Sequence, residues 1–163
     1  MKQVAWLALF MTSFIFTIAG YASSPTELSG DGTALWNNID PCANNLTHNA
    51  GFEDGLTGWT FVDGAKLTSN PVRSGHDALR LDFPGSYAFQ SFAAAPNLDW
   101  ALSFYAKDHS TAANSKAFVQ YRRADGSFIS QVKLPFIQGA YRQFNMTGIT
   151  PSQTASVVLK FFR

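Results

Sequence analysis

Residues 100–107, WALSFYAK, put Trp100, Leu102, Phe104 and Ala106 on one side of an extended chain and Ala101, Ser103, Tyr105 and Lys107 on the other. The period of this alternation is two, which makes the segment a half-buried strand. Working outward, WTFV (59–62), AKLT (65–68), ALRLDF (78–83), YAFQSF (87–92), KAFVQYRR (116–123), SFISQVKL (127–134), YRQFNMTG (141–148) and SVVLKFF (156–162) read the same way. Between them stand DG, SNP, SG, PG, APN, ADG, QG and TPS, whose residues favour turns. Strands at this spacing, without an amphipathic helix, predict an all-β domain, a sandwich or a barrel rather than a βαβ fold.

Alternation assigns the faces. In ALRLDF, Leu79, Leu81 and Phe83 oppose Ala78, Arg80 and Asp82; in AFVQYRR, Phe118, Gln120 and Arg122 oppose Ala117, Val119 and Tyr121. Each strand keeps one apolar face for the space between sheets and one face that mixes polar and aromatic groups. Sugar rings, with apolar C–H patches rimmed by hydroxyls, match such a mixed face.

The 163 residues hold 12 basic and 11 acidic side chains, with no basic block, so a nucleic-acid partner is not expected. Lys2, the uncharged run of residues 4–20 and the small residues at 22–24 form the three parts of a secretory signal peptide, cleaved after Ala22. The alternative is an uncleaved membrane anchor; after cleavage no membrane association is expected. Residues 23–44, rich in Ser, Gly, Pro, Asn and Asp, read as a flexible leader, in which Trp36 is expected to dock on the domain. The sandwich then occupies 45–163. Cys42 is the single cysteine, either a buried thiol or an intermolecular bridge, so no internal disulfide supports this secreted chain.

Catalytic groups do not assemble on paper. Glu53 and Asp54 are adjacent and diverge on an extended chain, while His48, His76 and His109 lie in loops without metal-binding spacing. No nucleophile motif is present, so the chain reads as non-catalytic. Glu53 follows Asn49 and Gly51 in the first turn of the domain, where it either caps the turn, pairs with a cation, or offers a hard oxygen ligand to calcium.

In order, NLTHNAGFEDGLTGW (45–59), SGHDALRL (74–81), YAFQSF (87–92) and PNLDWALSFYAK (96–107) resemble carbohydrate-binding modules of the family 4, 9 and 22 type. The resemblance covers about residues 44–162. It implies a two-sheet antiparallel β-sandwich, a galactose-binding-like jelly roll, with a structural calcium ion at Glu53 and nearby loop oxygens and a glycan held by aromatic and polar side chains of one sheet or its edge loops. The acidic D-D-V strand that usually follows in such modules has no match up to Arg163: either the sandwich lacks its last strand, an earlier segment replaces it, or the sequence is a truncated copy. The open edge would invite self-association.

The expected carbohydrate-binding set is Trp59, Arg80, Tyr87, Tyr105, Gln120 and Arg122, with Glu53 at the metal. Trp59 is either core or stacking platform, and Arg80 either bonds hydroxyls or a uronate, or pairs with a carboxylate. The expected function is secreted, non-catalytic binding of a poly- or oligosaccharide. The rival is a structural or protein-interaction domain of the cell envelope.

Overall fold

The computed structural model describes residues 7–10, 17–19, 45–108, 115–136 and 139–163. The expected leader, with Trp36 and Cys42, lies outside the described residues, as does His109. The strands are β1 (Leu7–Phe10), β2 (Thr17–Ala19), β3 (Thr60–Val62), β4 (Ala65–Thr68), β5 (Ala78–Leu81), β6 (Tyr87–Ala93), β7 (Asp99–Asp108), β8 (Lys116–Arg122), β9 (Phe128–Pro135), β10 (Arg142–Ile149) and β11 (Ser156–Phe162). Among the described residues there is no helix, and hence none long and apolar enough to cross a membrane.

Two antiparallel sheets form the sandwich that the resemblance implies. Sheet A runs β10-β7-β1-β5-β4, with β2 also on β7; sheet B runs β3-β6-β11-β8-β9. Burial alternates along β7 and β8 as the sequence implies. Trp100, Leu102, Phe104 and Ala106 meet Ala117, Val119 and Tyr121 in one core with Leu79, Leu81, Val157, Leu159 and Phe161. Phe104 is fully buried at its centre, stacked 5.4 Å from Phe144 and edge-on at 5.2 Å to Phe161. Burying each such ring stabilises the fold by roughly 1.5–3 kcal/mol, and each ring pair adds about 0.5–1.5 kcal/mol.

Sheet A departs from expectation in its middle strand. β1 pairs with β5 (Leu7 opposite Leu81) and with β7 (Leu7 opposite Asp108). β2 continues along the same edge of β7, with Thr17 opposite Ala101. The apolar run that reads as a signal peptide therefore supplies the backbone partner that separates β5 from β7. Cleavage after Ala22 would remove both strands.

ALRLDF shows a second departure. The strand ends at Leu81, and the Phe83 N–H donates to Ser86 Oγ at 2.9 Å in a turn that swings the ring outward. Phe83 is 58% exposed, lying over Gly64 instead of joining the core. Asp82, on the face expected to be polar, is buried and carries Lys66 and Arg80 on its two carboxylate oxygens at 2.5 and 2.6 Å.

Candidate functional site

The stretch 49–59 folds as consecutive tight turns around Asn49, whose amide donates to the carbonyls of Gly55 and Thr57 and accepts from the Asp54 N–H. Trp59 ends them pointing inward. It is 7% exposed, 5.0 Å from Phe52 and 6.0 Å from Phe161, and its indole N–H donates to the carbonyls of His48 and Asn49. Of its two readings, the core one holds, because a buried indole satisfies its N–H on the loop it closes.

Gln90 completes this closure and was not singled out by sequence. It is buried at a core-facing position of β6, donates to the carbonyls of His48 and Gly58, and accepts from the His48 N–H. The signal was available: a glutamine between Ala88 and Phe92 on the inward side of YAFQSF must find partners for its amide. At Gly58, φ is +79° and a Cβ would stand 3.0 Å from the Gln90 amide nitrogen, so the turn needs a glycine there.

Glu53 is exposed and reaches the 75–77 turn, where Oε2 accepts the His76 N–H at 2.9 Å. The carboxylate thus straps two loops together through backbone donors. Among the described residues no cluster of three or more His, Cys, Asp or Glu side chains exists to share a metal with it.

The other expected residues separate onto two faces. Arg80 and Tyr105 lie on sheet A. Arg80 is tied to buried Asp82, the carboxylate pairing that the sequence left open as an alternative. The Tyr105 ring is covered by the Arg73 guanidinium 3.6 Å from its centre, and its hydroxyl donates to Gln143 Oε1 at 3.3 Å. Tyr87, Gln120 and Arg122 come together on the outer face of sheet B. There alternation turns Gln120 and Arg122 outward while Val119 and Tyr121 enter the core.

Tyr87, Phe89, Ser91, Gln120, Arg122, Val158 and Lys160 line a groove of about 330 Å³ on this face. That volume is at the small end of the ~300–1,000 Å³ typical of ligand sites. Tyr87 and Phe89 sit with ring centres 6.1 Å apart, and Lys160 Nζ lies 3.5 Å over Tyr87 and 5.4 Å over Phe162. Burial lowers the pKa of the Lys160 ammonium below the ordinary lysine value. Gln120 donates to Gln131 Oε1 at 2.9 Å, and Arg122 Nη1 donates to the Gly126 carbonyl at 3.0 Å. The arrangement combines two ring faces with amide and guanidinium donors. Lys160 was missed as a site residue because the pairing of β11 with β6, absent from any single strand's pattern, sets it opposite Phe89 and beside Tyr87. Phe89 was legible, since it lies two residues beyond Tyr87 on the same face of YAFQSF.

No family model matches the chain. Over 89 residues it is 40% identical to exochitinase 1 of Streptomyces olivaceoviridis, a match that takes in 53% of this chain and 15% of that enzyme. The chain thus spans a small part of the length of the enzyme it matches. A family 16 carbohydrate-binding module aligns over 72% of this chain and 94% of its own, with a TM-score of 0.56 and 21% identity. A tandem pair of family 22 carbohydrate-binding modules from Paenibacillus barcinonensis aligns over 68% and 38%, with a TM-score of 0.52 and 18% identity. The enzymatically active domain of tailspike protein 4 from bacteriophage CBA120 aligns over 71% and 18%, at 0.57 and 14%. At these identities the likeness is one of fold, and the fold is the β-sandwich that the motif order implies.

Proposed function

We propose that this chain is a secreted, non-catalytic carbohydrate-binding module that holds a poly- or oligosaccharide in the outer groove of sheet B. The observation that carries the reading is the convergence of Tyr87, Phe89, Gln120, Arg122 and Lys160 on one face. Ring faces take the C–H side of a sugar, and the amide, guanidinium and ammonium donors take its hydroxyls. None of the groove residues is a carboxylate, whereas glycoside hydrolysis ordinarily needs a pair. The partial likeness to an exochitinase puts N-acetylglucosamine oligomers among the first sugars to try.

The test is a glycan array followed by calorimetric titration of the full chain. Binding that weakens in Phe89→Ala and Gln120→Ala supports the proposal. A folded protein that binds nothing on the array overturns it, and turnover of any polysaccharide overturns its non-catalytic half.

A structural calcium ion at Glu53 belongs to the same proposal. The carboxylate and the carbonyl oxygens of its own loop would be the ligands, and the ion would replace the backbone donor from His76. Titration with calcium chloride alone, read as heat and as a rise in Tm that a chelator reverses, checks this. A flat titration leaves Glu53 as a strap between loops.

The rival reading, a protein-interaction domain, is favoured by one observation: β1 fills the middle of sheet A from the segment expected to be cleaved. Loss of that strand would expose the facing edges of β5 and β7 to another chain.

A further inference from the structure

Charge is distributed unevenly over this nearly neutral chain. The register of sheet B turns Thr60 and Val62 of β3, Tyr87, Phe89, Ser91 and Ala93 of β6, and Ser156, Val158, Lys160 and Phe162 of β11 to one side. β8 adds Lys116, Phe118, Gln120 and Arg122, and β9 adds Gln131, Lys133 and Pro135 opposite them. Lys116, Arg122, Lys133 and Lys160 are thus all on this face, and no aspartate or glutamate occupies any of these strand positions. The 11 acidic residues of the chain lie elsewhere in the sequence.

A neutral sugar needs hydrogen-bond donors and acceptors in mixture, since each hydroxyl both gives and takes. This groove is rich in donors that cannot accept: an ammonium with three N–H groups and a guanidinium with a planar fork. Lys160 also sits against the rings of Tyr87 and Phe162, partly stripped of water. Neither salt bridge found among the described residues involves Lys160 or Arg122. Charged and partly desolvated, such groups gain most from a ligand that brings its own negative charge.

We propose that the groove selects an acidic polysaccharide, one whose sugar units carry uronate carboxylates. This specificity rests on the carbohydrate-binding reading above and narrows it. Lys160 stands opposite Phe118 on β8, and Arg122 lies four residues further along that strand, or roughly 13 Å at ~3.3 Å per residue. The backbone positions that carry the two cations are therefore farther apart than one sugar ring. The cations address carboxylates on separate units of a chain, which makes a polymer with repeated uronates a better partner than a single acidic sugar.

The experiment is titration of the full chain with polygalacturonate, with the same polymer after reduction of its carboxyl groups to alcohols, and with dextran sulfate. Polygalacturonate is expected to bind at least tenfold more tightly than its reduced form, with an affinity that falls as salt is raised. Lys160→Met and Arg122→Met are each expected to shrink that preference, while circular dichroism and Tm report that the variants stay folded. Equal binding of the native and reduced polymers overturns the acidic specificity and leaves the carbohydrate-binding reading intact. Dextran sulfate bound as tightly as polygalacturonate also overturns it, as general polyanion capture. If none of the three binds and the glycan array is blank too, the functional reading itself falls.

Discussion

The ammonium of Lys160 lies 3.5 Å over the ring of Tyr87, on an outer sheet face whose strand positions hold no carboxylate. Burial depresses its folded-state pKa below the ordinary 10.5. Between the folded value and that of the unfolded chain, the unfolded state binds more protons, so this group makes stability rise with pH there. At lower pH the charged side chain counts against the fold. Lys160→Met is expected to remove that alkaline rise. Urea midpoints of both proteins between about pH 8 and pH 10.5 check it, because the difference between them cancels the buried tyrosines. Parallel pH curves for the two proteins would refute the effect.

Phe89 lines the groove, while Tyr87 beside it already carries the lysine. Phe89→Ala is expected to weaken glycan binding about tenfold, the equivalent of ~1.4 kcal/mol. Calorimetric titration with whichever glycan the array identifies gives the number. An unchanged affinity would move the sugar off this ring.

Trp59 belongs to the core and to the loop it closes. Trp59→Ala is expected to cost about 3–5 kcal/mol of stability, whereas Trp59→Phe keeps most of the apolar contact and loses the two carbonyl partners. Folded Trp59→Phe protein is expected to bind glycan as the parent does. A selective loss of affinity in that variant would restore the tryptophan as a sugar platform.

Gln90 holds His48 and Gly58 through three hydrogen bonds in the buried space between sheet B and the first loop. Gln90→Leu takes the amide partner from the His48 N–H and the Gly58 carbonyl, each at about 1–3 kcal/mol, while the His48 carbonyl keeps the Trp59 indole N–H. Denaturant titration is expected to show a loss of ~2–4 kcal/mol, larger than for a surface glutamine. A loss below the usual surface range would mean that the loop finds other partners.

The strand Leu7–Phe10 and the expected signal peptide use the same residues. Mass spectrometry of the exported protein is expected to show a chain beginning after Ala22, with β5 and β7 then lacking the strand between them. Such a chain should associate as its concentration rises, a process that light scattering detects. A monomer at all concentrations, with stability equal to the full chain, would show that the edges close without a partner.

Most of the fold was legible because a strand with one buried face writes its burial into alternate residues, as WALSFYAK and KAFVQYRR do. ALRLDF misled at its end, where a serine hydroxyl caps a turn and the alternation stops short of Phe83. The site was legible in part. Tyr87, Gln120 and Arg122 face outward within their own strands, so local alternation reaches them.

The sequence by itself determined that the domain is all-β, where most of its turns fall and which side of strands such as β7 and β8 is buried, since these depend on neighbours a few residues apart. Tertiary structure alone decided which outward residues share a face. Arg80 and Tyr105 went to sheet A, Tyr87, Gln120 and Arg122 to sheet B, and Trp59 to the core between them. The order of strands in a sheet comes from the packing of the whole chain, and Lys160 meets Tyr87 only because β11 pairs beside β6.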